Sequence, residues 1–160
     1  MENSNHFNVI VIGAGISGIG AGYYLKKNCP NKSFCIIEGR ENIGGTWDLF
    51  KYPGIRSDSD MFTLGYAFKP WKEQKTIANG PSILSYLEET VEENNLREKI
   101  KFSHKVLSAN WNSAERNWEV RAAHHEQEIL LTANFLFMGT GYYNYDAVSY
   151  THLRAHETPI

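Results

Sequence analysis

The chain has 160 residues, of which 42% are hydrophobic and 21% charged, and carries a net charge of −2. That length supports one domain whose folding buries about 70% of the surface the unfolded chain exposes. The near-neutral charge, with Lys and Arg spread along the chain, speaks against a nucleic-acid partner, and no apolar run is long enough to span a bilayer as a transmembrane segment.

The stretch from Met1 to Asn8 is polar and has no basic n-region, so no signal peptide is expected and the expected location is cytoplasmic. Cys29 and Cys35 are not in CxxC spacing, and Cys35 lies inside an apolar run. Both are read as reduced structural thiols.

Phe7 to Ile12 (FNVIVI) is apolar and β-branched, and stops at Gly13. It predicts a buried parallel strand. A helix is expected over Ile16 to Asn28, with Ile16, Ile19, Gly20, Tyr23 and Tyr24 on one face, and Pro30 beyond its end. Ser33 to Glu38 (SFCIIE) predicts a second apolar strand. Strand, helix and strand within about thirty residues form a βαβ unit with a right-handed crossover.

Gly39 to Gly65 is rich in Gly, Ser and Asp, with Tyr52-Pro53-Gly54 as a turn signal. An irregular segment of this length in a compact domain points to ligand binding. Pro81 to Asn95 predicts a helix capped near Asn79 or Gly80, with Ile83, Leu84, Leu87 and Val91 as its buried stripe. From Lys101 the period becomes two. Lys105–Trp111, Trp118–Ala123 and Glu128–Thr132 predict three antiparallel strands, turning at Asn112 to Glu115 and at His124 to Glu126. Trp111 and Trp118 are read as hairpin packing. Asn134 to Met138 (NFLFM) predicts a further parallel strand, after which Gly139-Thr140-Gly141 brings the chain back across the ligand site. The sequence shows no internal repeat.

Gly13-Ala14-Gly15-Ile16-Ser17-Gly18 is GxGxxG, placed after a strand and at the opening of a helix. Gly13 permits the tight turn, Gly15 lets a pyrophosphate approach the backbone, and Gly18 lets helix and strand pack closely. The helix N-terminus offers N–H groups and the positive end of its dipole to phosphate. Glu38 ends the second strand, where an acid accepts hydrogen bonds from ribose hydroxyls and repels a 2′-phosphate. The site therefore suits FAD or NAD rather than NADP, and these residues alone leave FAD and NAD both open.

Glu41-Asn42-Ile43-Gly44-Gly45-Thr46-Trp47-Asp48 and Lys51-Tyr52-Pro53-Gly54-Ile55-Arg56-Ser57-Asp58-Ser59-Asp60 resemble the class B flavin monooxygenases, which include the Baeyer–Villiger and the flavin-containing N- and S-oxygenating enzymes. The likeness is to the Baeyer–Villiger enzymes of the mycobacterial ethionamide-activating type. It runs from about Val9 to Asp146 and includes GTGYYNYD near the end. It implies an α/β, Rossmann-like FAD-binding domain in which a parallel sheet carries an inserted antiparallel β-meander, here incomplete. It implies two cofactors, FAD in the βαβ unit and NADP(H) in a second domain later in the chain. Position by position, Ser17 would contact the FAD pyrophosphate and Glu38 the adenosine ribose. Thr46, Trp47, Asp48 and Leu49 would line the middle of the cofactor and the flavin, with Asp58 close to the flavin ring. Val106 would offer its backbone to the adenine, and Arg56, Ser57 and Asp58 would also face NADP. A local Arg56–Asp58 ion pair is the plainer alternative for those two residues. The implied activity is insertion of one oxygen atom from O2 into a ketone, or oxidation of a soft nitrogen or sulfur, at the expense of NADPH, on a small-molecule substrate.

Residues 1–146 are thus expected to be a partial FAD-binding domain. Residues 147–160 match no part of that family and read as translated sequencing adaptor, a non-native tail. His152 and His156 stand four apart, but no ligand cluster accompanies them, so no metal is expected. Apolar surface is expected to be exposed where the rest of such a domain would pack. The competing readings are an FAD- or NAD-linked dehydrogenase and a stand-alone dinucleotide-binding module. A disulfide reductase of related fold would need a Cys pair near Gly44-Gly45, and none is there.

Overall fold

In a computed structural model of the chain, which describes residues 5–142, the predicted strand–helix–strand unit comes first. Strand β1 spans His6–Ile12, helix α1 Ile16–Asn28 and strand β2 Phe34–Ile37. β1 and β2 pair in parallel, with Val9 opposite Phe34 and Ile12 opposite Ile37. Both faces of these strands are covered, which is why they read as continuous apolar runs.

Helix α1 buries Gly18, Ile19, Gly20 and Gly22. Tyr24, expected on that face, is 45% exposed. The helix lies too close to its neighbours for large residues along this line. A Cβ on Gly20 would stand 2.9 Å from the ring of Tyr66, and one on Gly22 2.8 Å from Ile36. The aromatic bulk comes from across the interface instead. Tyr66 donates a hydrogen bond from its hydroxyl to the Ile16 carbonyl at 2.6 Å.

The irregular segment contains two single-turn helices, α2 (Thr46–Leu49) and α3 (Met61–Leu64). Helix α4 spans Gly80–Glu93, with Asn79 accepting from the Ser82 amide at 2.8 Å as its N-cap. Its buried side carries Ile83, Leu87 and Val91 as expected, together with Tyr86 and Thr90, while Leu84 is half-buried. This stripe joins Val11, Ile19, Phe34 and Ile36 in the core on the helical face of the sheet.

After a short 3-10 turn, strand β3 (Ile100–Lys101), which the sequence reading missed, adds in parallel to β2. Two residues carry no readable period. Strands β4 (His104–Asn112), β5 (Asn117–His124) and β6 (Gln127–Met138) follow. β4 and β5 form the expected hairpin, with Trp111 opposite Trp118 and their rings 5.7 Å apart edge to face.

One expectation is corrected. Glu128–Thr132 and Asn134–Met138 are not separate strands but one strand of twelve residues, β6. Its first half pairs antiparallel with β5 and its second half parallel with β1, Val9 facing Phe135 and Ile12 facing Met138. No Gly or Pro interrupts the stretch, so the backbone runs straight from the meander into the parallel part. The result is one mixed sheet of Rossmann-like α/β type, in the order β3-β2-β1-β6-β5-β4. On its second face Ile10, Ile12, Cys35 and Ile37 pack against Val120, Leu131 and Ala133 of the meander. On the helical face of β6, Phe135 is 68% and Phe137 44% exposed, the open apolar surface that was expected.

Candidate functional site

The parallel strands β1, β2 and β6 end side by side, and β1 is the point from which the chain leaves in opposite directions along the sheet. Such a switch point is where open α/β sheets bind ligands. A cavity of about 810 Å³ opens there.

Its floor is the glycine-rich turn. Gly13 has φ +99°, and a Cβ there would stand 2.6 Å from the Gly139 carbonyl oxygen. Gly18 lies beneath, out of the cavity, packed on Gly13. Gly15 differs from both. Its φ of −82° and ψ of −170° suit any residue, and the nearest atom to an added Cβ is the Gly45 Cα at an ordinary 3.6 Å. The chain's own packing does not require glycine at residue 15, yet residue 15 lines the cavity. Ser17 lines it too, on the first turn of α1, which has no side-chain cap and no acid. The positive end of a thirteen-residue helix faces the space.

The second wall is the end of β2. Glu38 is 7% exposed. Its Oε2 accepts from the Ala14 amide at 2.8 Å and its Oε1 from the Arg40 amide at 3.0 Å. A carboxylate has about four acceptor positions, so Glu38 retains capacity towards the cavity it lines. Arg40, which sequence reasoning passed over, lines the same wall.

The third wall is the Gly44-Gly45 loop with Thr46 and Trp47. It is tied to the glycine-rich turn by a hydrogen bond from the Gly44 amide to the Ala14 carbonyl at 2.9 Å. The fourth is the start of β4, where His104, Lys105 and Val106 line the space. The His104 amide donates to the Glu38 carbonyl at 2.8 Å, which sets β4 against β2. Burial holds the His104 imidazole below its usual pKa, against the Phe102 carbonyl that receives its Nδ1 and with Lys101 and His124 acting in the same direction as burial. Gly139, Thr140 and Gly141 cross the mouth, as expected from the sequence.

Of the residues singled out in the sequence, Gly13, Gly15, Ser17, Glu38, Thr46, Trp47 and Val106 are brought together around this cavity. Asp48 and Leu49 lie just behind the wall on α2, the Asp48 carboxylate bound to Arg40 at 2.9 Å. Arg56, Ser57 and Asp58 stand outside the lining. Arg56 pairs through its backbone with Asn79. Ser57 is 2% exposed, and its hydroxyl accepts from the Ala78 amide at 3.2 Å. Asp58 is exposed, and no ion pair joins it to Arg56 among the described residues. Tyr143 to Asp146, the expected tail over 147–160, and His152 and His156 lie outside the described residues. Among the described residues no group of three or more His, Cys, Asp or Glu could hold a metal ion, and no helix is long and apolar enough to cross a membrane.

Residues 11–73 match the model of the NAD(P)-binding Rossmann-like domain. The chain is 53% identical over 143 residues to an FAD-containing monooxygenase, EthA, of Mycolicibacterium smegmatis, covering 89% of this chain and 29% of that protein. It is 53% identical over 140 residues to a probable FAD-binding monooxygenase, AlmA, of an Acinetobacter species, covering 87% and 28%. Among solved structures it superposes on an open form of cyclohexanone monooxygenase with a TM-score of 0.78 at 29% identity, over 86% of this chain and 27% of that one. A steroid monooxygenase bound to NADP gives a TM-score of 0.77 at 29% identity, over 85% and 26%. The chain is thus similar to FAD-containing monooxygenases over nearly nine-tenths of its own length, and spans less than a third of the length of these relatives.

Proposed function

We infer that this relative of the flavin monooxygenases is the FAD-binding part of an NADPH-dependent monooxygenase that inserts one oxygen atom from O2 into a ketone or oxidises a soft nitrogen or sulfur in a small molecule. Residues 1–146 are assigned to the FAD-binding unit and residues 147–160 to a tail outside it. The observation that carries the reading is Gly15, a glycine that neither the backbone angles nor the packing of the chain demand, placed where a side chain would enter the cavity. Its absence of a Cβ serves a ligand that comes close to the backbone.

The residues fit FAD in kind. Gly13, Gly15, Ser17 and Gly18 form the turn and helix end that would take the pyrophosphate. Glu38 would accept the adenosine ribose hydroxyls, and the Val106 backbone would meet the adenine. Thr46 and Trp47, with Asp48 and Leu49 behind them, would border the middle of the cofactor and the flavin, Trp47 as a flat apolar wall. Arg56, Ser57 and Asp58 would face the flavin side and NADP. When bound, FAD supplies the electron transfer and oxygen activation that no side chain can perform. The protein's own part here is to fix the cofactor's length along the switch point and to shield it from water. We place the protein in the cytoplasm, where Cys29 and Cys35, both free in the structure, stay reduced.

The test is purification with added FAD and a visible spectrum after gel filtration, beside Gly15→Ala. A flavin band near one per chain, weakened at least tenfold in a variant with an unchanged melting temperature, is expected. A soluble, folded chain that holds no flavin overturns the reading.

A further inference from the structure

We propose that Arg40 is a positioning residue that orients Glu38 and the Gly44-Gly45 loop around the adenosine end of the site, and that Asp48 acts through Arg40 to make the site selective for a free 2′-hydroxyl. The inference rests on the reading of the cavity as a dinucleotide site.

Both terminal nitrogens of the guanidinium donate to the chain. Nη1 donates to Asp48 Oδ2 at 2.9 Å and Nη2 to the Gly45 carbonyl at 2.9 Å, while Nε stands 3.7 Å from Glu38 Oε1. One planar group thus joins the end of β2, the glycine loop and α2. The planar fork of an arginine suits such bridging, where a lysine would offer a single point of charge. The three side chains are largely shielded, with Arg40 30%, Asp48 13% and Glu38 9% exposed, so these contacts are less screened than surface pairs.

An arginine near a ribose site can instead receive a 2′-phosphate. Here two carboxylates oppose that use. The Asp48 carboxylate pairs with the guanidinium, and the Glu38 carboxylate beside it would repel a phosphate. What the bridge adds is a positive charge beside a Glu38 carboxylate already aimed by two backbone amides, and a tie from that corner to the Gly45 carbonyl. The Ala14 amide fixes one oxygen, and the Arg40 amide, with Nε at longer range, fixes the other. Without the guanidinium, Glu38 keeps its backbone donors but loses the charge that neutralises it and the link that keeps the opposite wall in place.

ADP and 2′-deoxy-ADP separate this role from simple stabilisation, because they differ only in the hydroxyl that Glu38 would meet. Neither carries a flavin, so any contact of Asp48 with flavin does not register. Affinities are measured for the full chain and for Arg40→Ala, Asp48→Asn and the double variant, at a temperature where circular dichroism shows each folded. The unsubstituted chain is expected to prefer ADP by roughly tenfold or more, as a hydrogen bond to a charged group provides. Each single variant is expected to reduce that preference to about twofold, and the double variant no further. Asp48→Asn keeps the side-chain size, so it reads the effect even if Arg40→Ala fails to fold. An unchanged preference, with only a lower melting temperature, overturns the proposal by leaving Arg40 a structural brace. A chain that binds FAD and ADP but ignores the 2′-hydroxyl overturns it while the cofactor reading stands. A folded chain that binds neither removes both.

Discussion

A Cβ on Gly18 would stand 1.8 Å from the carbonyl oxygen of Gly13. Helix α1 and the end of β1 are in direct backbone contact there, and Gly139, the residue after β6, closes over the same point, its amide donating to the Ile12 carbonyl at 2.8 Å. The glycine-rich turn, the first turn of α1 and the distant end of β6 thus meet on glycine. Gly18→Ala should cost at least about 2 kcal/mol, since neither backbone can yield without displacing a strand. Urea unfolding of Gly18→Ala beside Gly15→Ala checks it. The two substitutions add the same methyl group, and only the first should lose stability. Equal losses would mean that Gly15 too is a packing glycine.

Tyr86 holds the irregular segment to helix α4. Its hydroxyl donates to the Lys69 carbonyl at 2.6 Å and accepts from the Tyr66 amide at 2.7 Å. The residue is 5% exposed. Tyr86→Phe leaves a shielded carbonyl and a shielded amide unpaired and should cost about 1–3 kcal/mol. Denaturant midpoints at an unchanged m-value provide the measurement. A cost below about 0.5 kcal/mol would show that water replaces the hydroxyl.

The depressed pKa of His104 sets a direction for acid sensitivity. Its ring is stacked on His124 at 4.0 Å, with His125 and Lys101 adding like charge nearby. The unfolded chain, where histidine titrates near 6.5, binds this proton more readily than the folded one. Stability is therefore full above about pH 6.5 and lost as pH falls through the folded value. The melting temperature should drop between pH 7.5 and 5.5, and His104→Gln should flatten that drop. A drop of the same size in the variant would assign it to carboxylates.

Burial pushes the Cys35 thiol up to about 12, whereas Cys29 is exposed. Reactivity follows the thiolate. A thiol reagent at pH 8 should label one site per folded chain, Cys29, and reach Cys35 only in denaturant. Prompt labelling of both would show that the second face of the sheet opens.

Much of the site was readable because its parts are contiguous. GxGxxG between a strand and a helix locates the turn, and the α1 boundaries read from the sequence are those of the structure. Glu38 was found by its place at the end of an apolar run. Arg40 was not, since nothing in a Gly-rich segment without period says which way its side chain turns. Its partners lie five and eight residues on, in a loop whose path is set by Gly44 bonding to Ala14. For the same reason Arg56 and Asp58, plausible as a pair from spacing, do not meet.

The sequence by itself determined the βαβ unit, the hairpin of β4 and β5, and the place of the glycine-rich turn between strand and helix. These follow from periodicity and glycine spacing, which are properties of neighbouring residues. Only the tertiary structure decided that β6 runs unbroken from meander to parallel sheet, that β3 adds beside β2, and that Arg40 faces inward to Asp48. The two strand placements depend on contacts between segments remote along the chain and the Arg40 bridge on the path of an aperiodic loop, and local periodicity carries no record of either.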